Sequence, residues 1–192
     1  MIPAVKSVIG IIAILMLRCA APAPVPEPAT NTPAAPAARP DAAPPLSQRC
    51  TNAQYRLSIA YPAGWYTNDG SVVPECSVFA PKPVQVPRDS EMPFEIPIVL
   101  AVQTVKVEEV TRSSQWERVL SSGPVTVAGR RGVRAEVEAS GEGLAEKGMR
   151  SVRYAVALGD GRTLLASTHD RAGSYELNQK ILGRMMESIT FE

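Results

Sequence analysis

The stretch from Tyr55 to Trp65, YRLSIAYPAGW, carries the clearest structural signal in the chain. Apolar side chains recur at every second position from Tyr55 to Tyr61, which predicts a strand with one buried face. Pro62 is expected to end this strand because it has no amide hydrogen for a sheet. Gly64 allows a tight turn, so that Trp65 folds back over the apolar face. The stretch therefore predicts the first strand of a sheet.

An apolar run, Val8–Leu17, lies near the N-terminus after Lys6. It is too short to span a bilayer, which needs about twenty residues, but it suits the core of a secretory signal. Cys19 follows, and the order resembles a bacterial lipoprotein signal, whose cysteine becomes the lipidated (palmitate-bearing) first residue. Arg18 departs from that pattern, which has a small residue there. The alternative is an uncleaved signal anchor with a spare cysteine. We expect residues 1–19 to direct export and Cys19 to anchor the protein in the membrane by lipid, with its domain outside the cytoplasm.

Residues 20–47 are dominated by alanine and proline and hold half of the 18 prolines of the chain. They show no apolar periodicity, so no core is expected there. Such chains favour extended polyproline II structure. We therefore predict a disordered linker, a passive spacer, ahead of one globular domain at residues 48–192.

Two cysteines, Cys50 and Cys76, remain once Cys19 is assigned to the lipid. An even pair in an exported protein predicts a disulfide. The alternative is two reduced, buried thiols. A metal site lacks further ligands, because the single histidine, His169, is far away in sequence. No metal and no cofactor are predicted.

The remaining pattern predicts an α+β fold, an antiparallel sheet flanked by helices. Ile98–Val107 is expected to be a central strand, since both its faces are largely apolar. Ser114 and Glu117 form a capping box, and Trp116, Val119 and Leu120 lie on one helical stripe, which predicts a helix ending at Ser122 and Gly123. Further strands are predicted at residues 125–127, 131–139, 150–158 and 163–167, with a hairpin turn at Asp160-Gly161. Ser174 is expected to cap the last helix, and a short final strand with Ile189 and Phe191 is expected after it.

The strands on either side of the loop Gly141–Gly148 predict a hairpin. If the loop is centred between Leu144 and Ala145, Glu136 lies opposite Arg153. A one-residue slip in register would put these two side chains on opposite faces.

Four segments together resemble a PsbP-like domain: YRLSIAYPAGW, VTVAGRRGVRAEVE, RYAVALGDGRTLL and the last helix with SITF. The family is named for an extrinsic subunit of the oxygen-evolving complex, and a Ran-binding nuclear factor shares its fold. The resemblance covers about Tyr55–Phe191. It implies an α/β/α sandwich around an antiparallel sheet, and roles in binding and assembly without catalysis. Its motifs are structural, so they say more about fold than about function.

Two patterns that carry enzyme chemistry elsewhere are weak here. Ser167, His169 and Asp170 have the residue types of a hydrolase triad, but a triad is assembled from distant segments. The glycines of Gly141–Gly148 accompany Glu142 and Glu146, which would repel phosphate, and the loop joins two strands. The chain is therefore expected not to be an enzyme. A net charge of +1 also gives no indication of nucleic-acid binding.

These observations predict a non-catalytic binding or scaffold domain whose partner is a protein of the cell envelope. Met92 and Phe94, in the proline-rich segment from Pro81 to Pro97, are candidate anchors, unless they pack onto the sheet. Arg130 and Arg131 are candidates for an anion-binding surface, unless the arginines of that hairpin pair with its glutamates. The alternative function is a small-ligand carrier or an enzyme. A deep pocket with convergent polar groups would favour this alternative, and an exposed apolar loop would favour a binding domain.

Overall fold

The computed structural model describes residues 43–86, 96–169 and 174–192. These residues form ten strands, one 3₁₀ helix and one α-helix. In chain order they are β1 (Leu46–Asn52), β2 (Leu57–Pro62), β3 (Tyr66–Thr67), β4 (Val78–Ala80), β5 (Ile98–Gln103), the 3₁₀ helix (Val107–Thr111), β6 (Glu117–Val127), β7 (Arg130–Ala139), β8 (Arg150–Gly159), β9 (Arg162–Thr168), α1 (Tyr175–Ser188) and β10 (Thr190–Phe191).

The strands form two antiparallel sheets. The small sheet has the order β1-β2-β10, and the large sheet has the order β3-β4-β5-β9-β8-β7-β6. Helix α1 contacts β2 of the small sheet and both β8 and β9 of the large one. The main core lies between α1 and the two sheets and includes Leu57, Ile59, Phe79, Leu100, Leu164, Ile181 and Met185.

The prediction for Tyr55–Trp65 is largely confirmed. Strand β2 runs from Leu57 to Pro62, and Trp65 packs against the core. Gly64 has a φ of 75°, in the left-handed region that glycine favours, and the amide of Trp65 donates to the carbonyl of Pro62. The strand begins later than its alternation indicates, because Arg56 adopts a φ of 51° in the turn before it.

The helix predicted after Ser114 is wrong, because this segment begins the long strand β6. Ser114 accepts a hydrogen bond from the amide of Trp116 at 3.2 Å and so shapes a turn before the strand, not a helix cap. The segment pairs along its length with β7. Its Ser, Gly, Pro and Val residues are poor helix formers, and this pairing overrides a three-residue apolar stripe.

Two element boundaries also differ from the sequence prediction. The strand predicted for Ile98–Val107 ends at Gln103, and Val107 begins the 3₁₀ helix. Strand β1 starts at Leu46, within the segment assigned to the linker, and pairs with β2. Its sequence, LSQRCTN, is largely polar, so hydrophobic periodicity does not reveal it.

The register predicted for the β7–β8 hairpin is wrong by one residue. Glu136 lies opposite Val152, and Arg153 lies opposite Ala135. The pairing of Glu138 with Arg150 centres the loop on Leu144, so the loop contains an odd number of residues. The side chains of Glu136 and Arg153 therefore project from opposite faces of the sheet.

The other predicted elements are confirmed. The hairpin at Asp160-Gly161 has positive φ values at both residues, and α1 follows Ser174 with Ile181, Leu182, Met185 and Met186 buried. Ser174 occupies the N-cap position, but its side chain makes no capping hydrogen bond, so this detail of the prediction is wrong. Of the predicted fold class, the antiparallel sheet architecture is confirmed, but the α/β/α sandwich flanked by helices is not. Antiparallel sheets with a packed helix are present, but within the described residues α1 is the sole α-helix. None of the helices in these residues has the length and hydropathy to cross a membrane.

The large sheet has two sides of different character. One side is buried against α1 and the small sheet. The strand residues that alternate with it form what we call the outer side, where the partly buried residues include Val99, Ala101, Arg153, Leu165 and Ser167. The 3₁₀ helix covers part of the outer side and contacts β7 and β8. The rest of this side holds the site described next.

Candidate functional site

The predicted cysteine pair is present as a disulfide. Cys50 on β1 is bonded to Cys76, in the turn before β4. Cys76 is buried, so the bond fastens the small sheet to the loop that leads into the large sheet. Cys19 lies outside the described residues, so its lipidation stays a prediction.

Of the predicted binding residues, Arg130 and Arg131 lie in the described part of the chain. Met92 and Phe94 lie outside the described residues. The Arg130 side chain donates to the carbonyl of Leu158 and places its guanidinium 4.4 Å from the centre of the Phe191 ring. Arg131 is exposed and lies 3.4 Å from a carboxylate oxygen of Glu108.

The other arginines of the hairpin are also paired. Arg150 lies 3.6 Å from a carboxylate oxygen of Glu136, and Arg153 is bonded to Glu117. Arg134 donates to the side chain of Gln179 at 3.2 Å. This arrangement agrees with the alternative of a charge-paired hairpin.

A groove of about 380 Å³ opens on the outer side, at the end of the sheet where β7 turns toward β8. We call it the Trp116 groove; its lining includes Trp116, Val137, Leu144, Met149, Arg153 and His169. Trp116 precedes β6, whereas Leu144 is at the centre of the loop between β7 and β8. Their exposed fractions are 51% and 63%, and because both line the same groove they form an exposed apolar group and are not two scattered residues.

The loop that carries Leu144 is held close to Trp116. A Cβ atom added to Gly143 would lie 3.3 Å from the Trp116 ring, which is tighter than ordinary contact. The backbone carbonyl of Trp116 accepts a hydrogen bond from the amide of Ser140 at 2.9 Å. Gly143 thus has a structural role, because the absence of a side chain lets the loop pack closely against the Trp116 ring.

The polar end of the groove is formed by Arg153 and His169. Arg153 makes a bidentate ion pair with Glu117 at the start of β6. His169 lies just after β9, and its Nε2 is 2.9 Å from the hydroxyl oxygen of Ser167. Burial lowers the pKa of His169, and the positive charge of Arg153 lowers it further. Both effects favour the neutral form of the ring.

A second groove of about 260 Å³ lies on the other side of this polar end. Its apolar lining includes Val99 and Ala101 of β5, Val110 of the 3₁₀ helix and Leu165 of β9. Arg153 and His169 line both grooves. The outer side thus presents two apolar depressions that share one polar boundary.

Comparison with solved structures finds similarity to the solution structure of cyanobacterial PsbP (CyanoP) from Synechocystis sp. PCC 6803. The sequences are 12% identical, the match covers 76% of this chain and 92% of that one, and the TM-score is 0.47. This is the family that the sequence resembles. No protein-family model matches the chain, and no curated protein matches it significantly.

Of the residue types for a hydrolase triad, two are in contact and the third is not described. Ser167 and His169 are two positions apart along the strand direction, so both side chains lie on the outer side. Asp170 is outside the described residues. Ser167 is within β9 and pairs with Val99 on one side and Arg153 on the other. In the residues that the structure describes, no cluster of metal-binding side chains is found.

Sequence reasoning missed the groove because its walls come from distant segments. Trp116 was assigned to a helix stripe, and Leu144 to a polar loop. The available signal was a large apolar residue in an otherwise polar loop, next to glycines. Such a residue indicates either local packing or a binding surface, and only the fold distinguishes the two.

The lowered pKa of His169 predicts a measurable titration. As the chain has one histidine, its ring signals in NMR spectra are easily assigned. We expect their midpoint below the ordinary value of 6.5. Because the unfolded chain binds the proton at higher pH, this histidine stabilises the fold above pH 6.5, and this contribution is lost as the pH falls through the folded-state pKa.

The variant Arg153→Gln should raise this midpoint, since it removes a nearby positive charge. Arg118→Gln is the matched control, because Arg118 pairs with Glu138 at an exposed position. A midpoint at or above 6.5 in the unmodified protein would contradict the burial of the ring.

Proposed function

We propose that this protein is a membrane-tethered extracytoplasmic lipoprotein whose domain binds a ligand or partner without catalysis, and that the Trp116 groove is its binding surface. The observation that carries the proposal is the exposure of Trp116 and Leu144 at the mouth of an apolar groove. Large apolar side chains grouped on a surface commonly mark binding sites. The volume of the groove also lies within the range of about 300–1,000 Å³ for ligand sites.

The non-catalytic part of the proposal is supported by the position of Ser167. A nucleophilic serine needs nearby donors for an oxyanion. Ser167 lies within a strand that is paired on both sides, so the backbone amides around it serve the sheet. The family that the sequence resembles also acts mostly by binding and assembly.

The tether in this proposal rests on the sequence alone. The short apolar run before Cys19 suits an export signal, and residues 20–47 suit an extended linker. A lipid on Cys19 would place the domain at a membrane surface outside the cytoplasm. Mass spectrometry of the membrane-extracted protein tests this part, and an intact Met1 terminus on the membrane-bound form would overturn it.

Site-specific photo-crosslinking in native cells tests the binding surface. A photoreactive residue in place of Leu144 should give adducts, whereas the same residue in place of Tyr66 should not. Tyr66 is the matched control because it is 47% exposed but does not line the groove. Trp116→Ala should weaken the adduct at position 144 by about tenfold or more, as buried aromatic anchors dominate binding. Equal adducts at both positions, or none, would overturn the groove as the binding surface.

A further inference from the structure

The Trp116 groove combines an apolar body with a polar end, and this combination restricts what it can bind. Trp116, Val137, Leu144 and Met149 provide the apolar lining, while Arg153 and His169 lie together at one end. A ligand that buries its whole length there gains from apolar contact along the groove and needs a polar group only at that end. The matching shape is a single apolar chain with one polar head.

The chemistry of the polar end favours a hydrogen-bond acceptor as the head. The bidentate pair with Glu117 uses two of the five N–H donors of Arg153. A carboxylate uses such donors well, since charge-assisted hydrogen bonds to arginine are stronger than neutral ones.

The charges around this end also favour an anion. Arg150 and Arg153 both line the groove, and each has N–H donors beyond those that face its carboxylate partner, Glu136 or Glu117. The positive charge of Arg153 lies near the His169 ring and, after burial, is a second cause of the lowered pKa of that ring. A carboxylate placed beside both groups would be attracted by that charge.

We propose that the Trp116 groove binds a single-chain anionic amphiphile, a long-chain carboxylate, with its head at Arg153 and its tail along Trp116, Val137 and Leu144. This inference rests on the proposed function and names the ligand class of the same site. Binding of such a ligand is non-covalent and requires no reacting group in the protein. It also gives the exposed Trp116 and Leu144 a role as the mouth through which the chain enters.

Tryptophan fluorescence of the full chain tests this proposal directly. The change Cys19→Ser avoids lipidation and therefore detergent, and Trp65→Phe leaves Trp116 as the sole tryptophan of the chain. Sodium dodecanoate, kept below its micelle concentration, should bind at one site and shift the Trp116 emission to the blue. Dodecanol, which has the same chain without the charge, should bind about 10- to 100-fold more weakly, as expected for loss of charge-assisted hydrogen bonds.

Variants separate the head from the tail. Arg153→Gln should weaken dodecanoate binding by about 10- to 100-fold and leave dodecanol binding unchanged, and Arg153→Lys should restore part of the loss. Arg118→Gln, which changes an exposed charge outside the lining, should leave both unchanged. Circular dichroism spectra identical to the parent would exclude misfolding, and Arg153→Lys keeps the test valid if Arg153→Gln fails to fold.

The failures of the two proposals are distinguishable. Equal binding of dodecanoate and dodecanol, or no binding of either, overturns the carboxylate proposal. If position 144 then still forms an adduct with a protein in native cells, the binding function stands with a different ligand. Stronger binding of an apolar peptide with a free C-terminal carboxylate than of dodecanoate would likewise overturn the acyl chain as the ligand.

Discussion

Removing the disulfide by the double change Cys50→Ala and Cys76→Ala should lower the free energy of unfolding by about 3.5 kcal/mol. The bond closes a loop over a sequence separation of 26 residues, and in the chain-entropy account its loss gives that much freedom back to the unfolded chain. For a domain of this size, the melting temperature should fall by roughly 7–14 °C. Thermal and urea unfolding, followed by circular dichroism, measure both quantities.

Reductant provides the control for this prediction. Treating the unmodified protein with a thiol reductant should lower its melting temperature by a similar amount, whereas the double variant should not respond. An unmodified protein with two alkylatable thiols and an unchanged melting temperature would contradict the prediction. Because Cys76 is buried and precedes β4, removal of the disulfide should destabilise mainly the junction of the two sheets.

Sequence patterns correctly predicted the elements that are determined mainly by their own residues. The turn at Asp160-Gly161 depends on two residues that tolerate positive φ, and both adopt it. Helix α1 depends on an apolar stripe within its own sequence, and Ile181 and Met185 are buried accordingly. The alternation around Ile59 predicted β2 for the same reason.

Sequence patterns did not reveal the elements that depend on pairing with another segment of the chain. Strand β6 has no strong period of its own and exists because β7 pairs with it. The register of the β7–β8 hairpin depends on whether the loop holds an odd or even number of residues, and the composition of Gly141–Gly148 does not reveal that number. One residue decides whether Arg153 faces Glu117 on the outer side or Glu136 on the other.

The candidate site depends on that same register. Arg153 reaches the outer side because it pairs with Ala135 in β7 and with Ser167 in β9. The groove therefore collects residues that are far apart in sequence, from Trp116 to His169. Sequence patterns named some of these residues, but the pairing of strands brought them together.

Replacing Phe79 with alanine should cost about 3–5 kcal/mol of unfolding free energy, the range for large-to-small changes at buried aromatic residues. Phe79 is fully buried in β4, and its ring centre lies 5.3 Å from that of Tyr61 in β2. The change would leave a cavity between the two sheets, at the point where the small sheet meets the large one. Phe79→Leu, which keeps most of the apolar volume, should cost clearly less.

Tyr66→Ala is the matched control for this prediction, since Tyr66 is the half-exposed aromatic residue of the neighbouring strand β3 and its removal should change stability by about 0.5 kcal/mol or less. Phe79 belongs to the core around α1, whereas the Trp116 groove lies on the outer side of the same sheet. Phe79→Leu should therefore lower the melting temperature but keep the crosslink at position 144. Loss of that crosslink in a folded Phe79→Leu variant would mean that the groove takes its shape from the core beneath it, and the two sides of the sheet would have to be treated as one coupled unit.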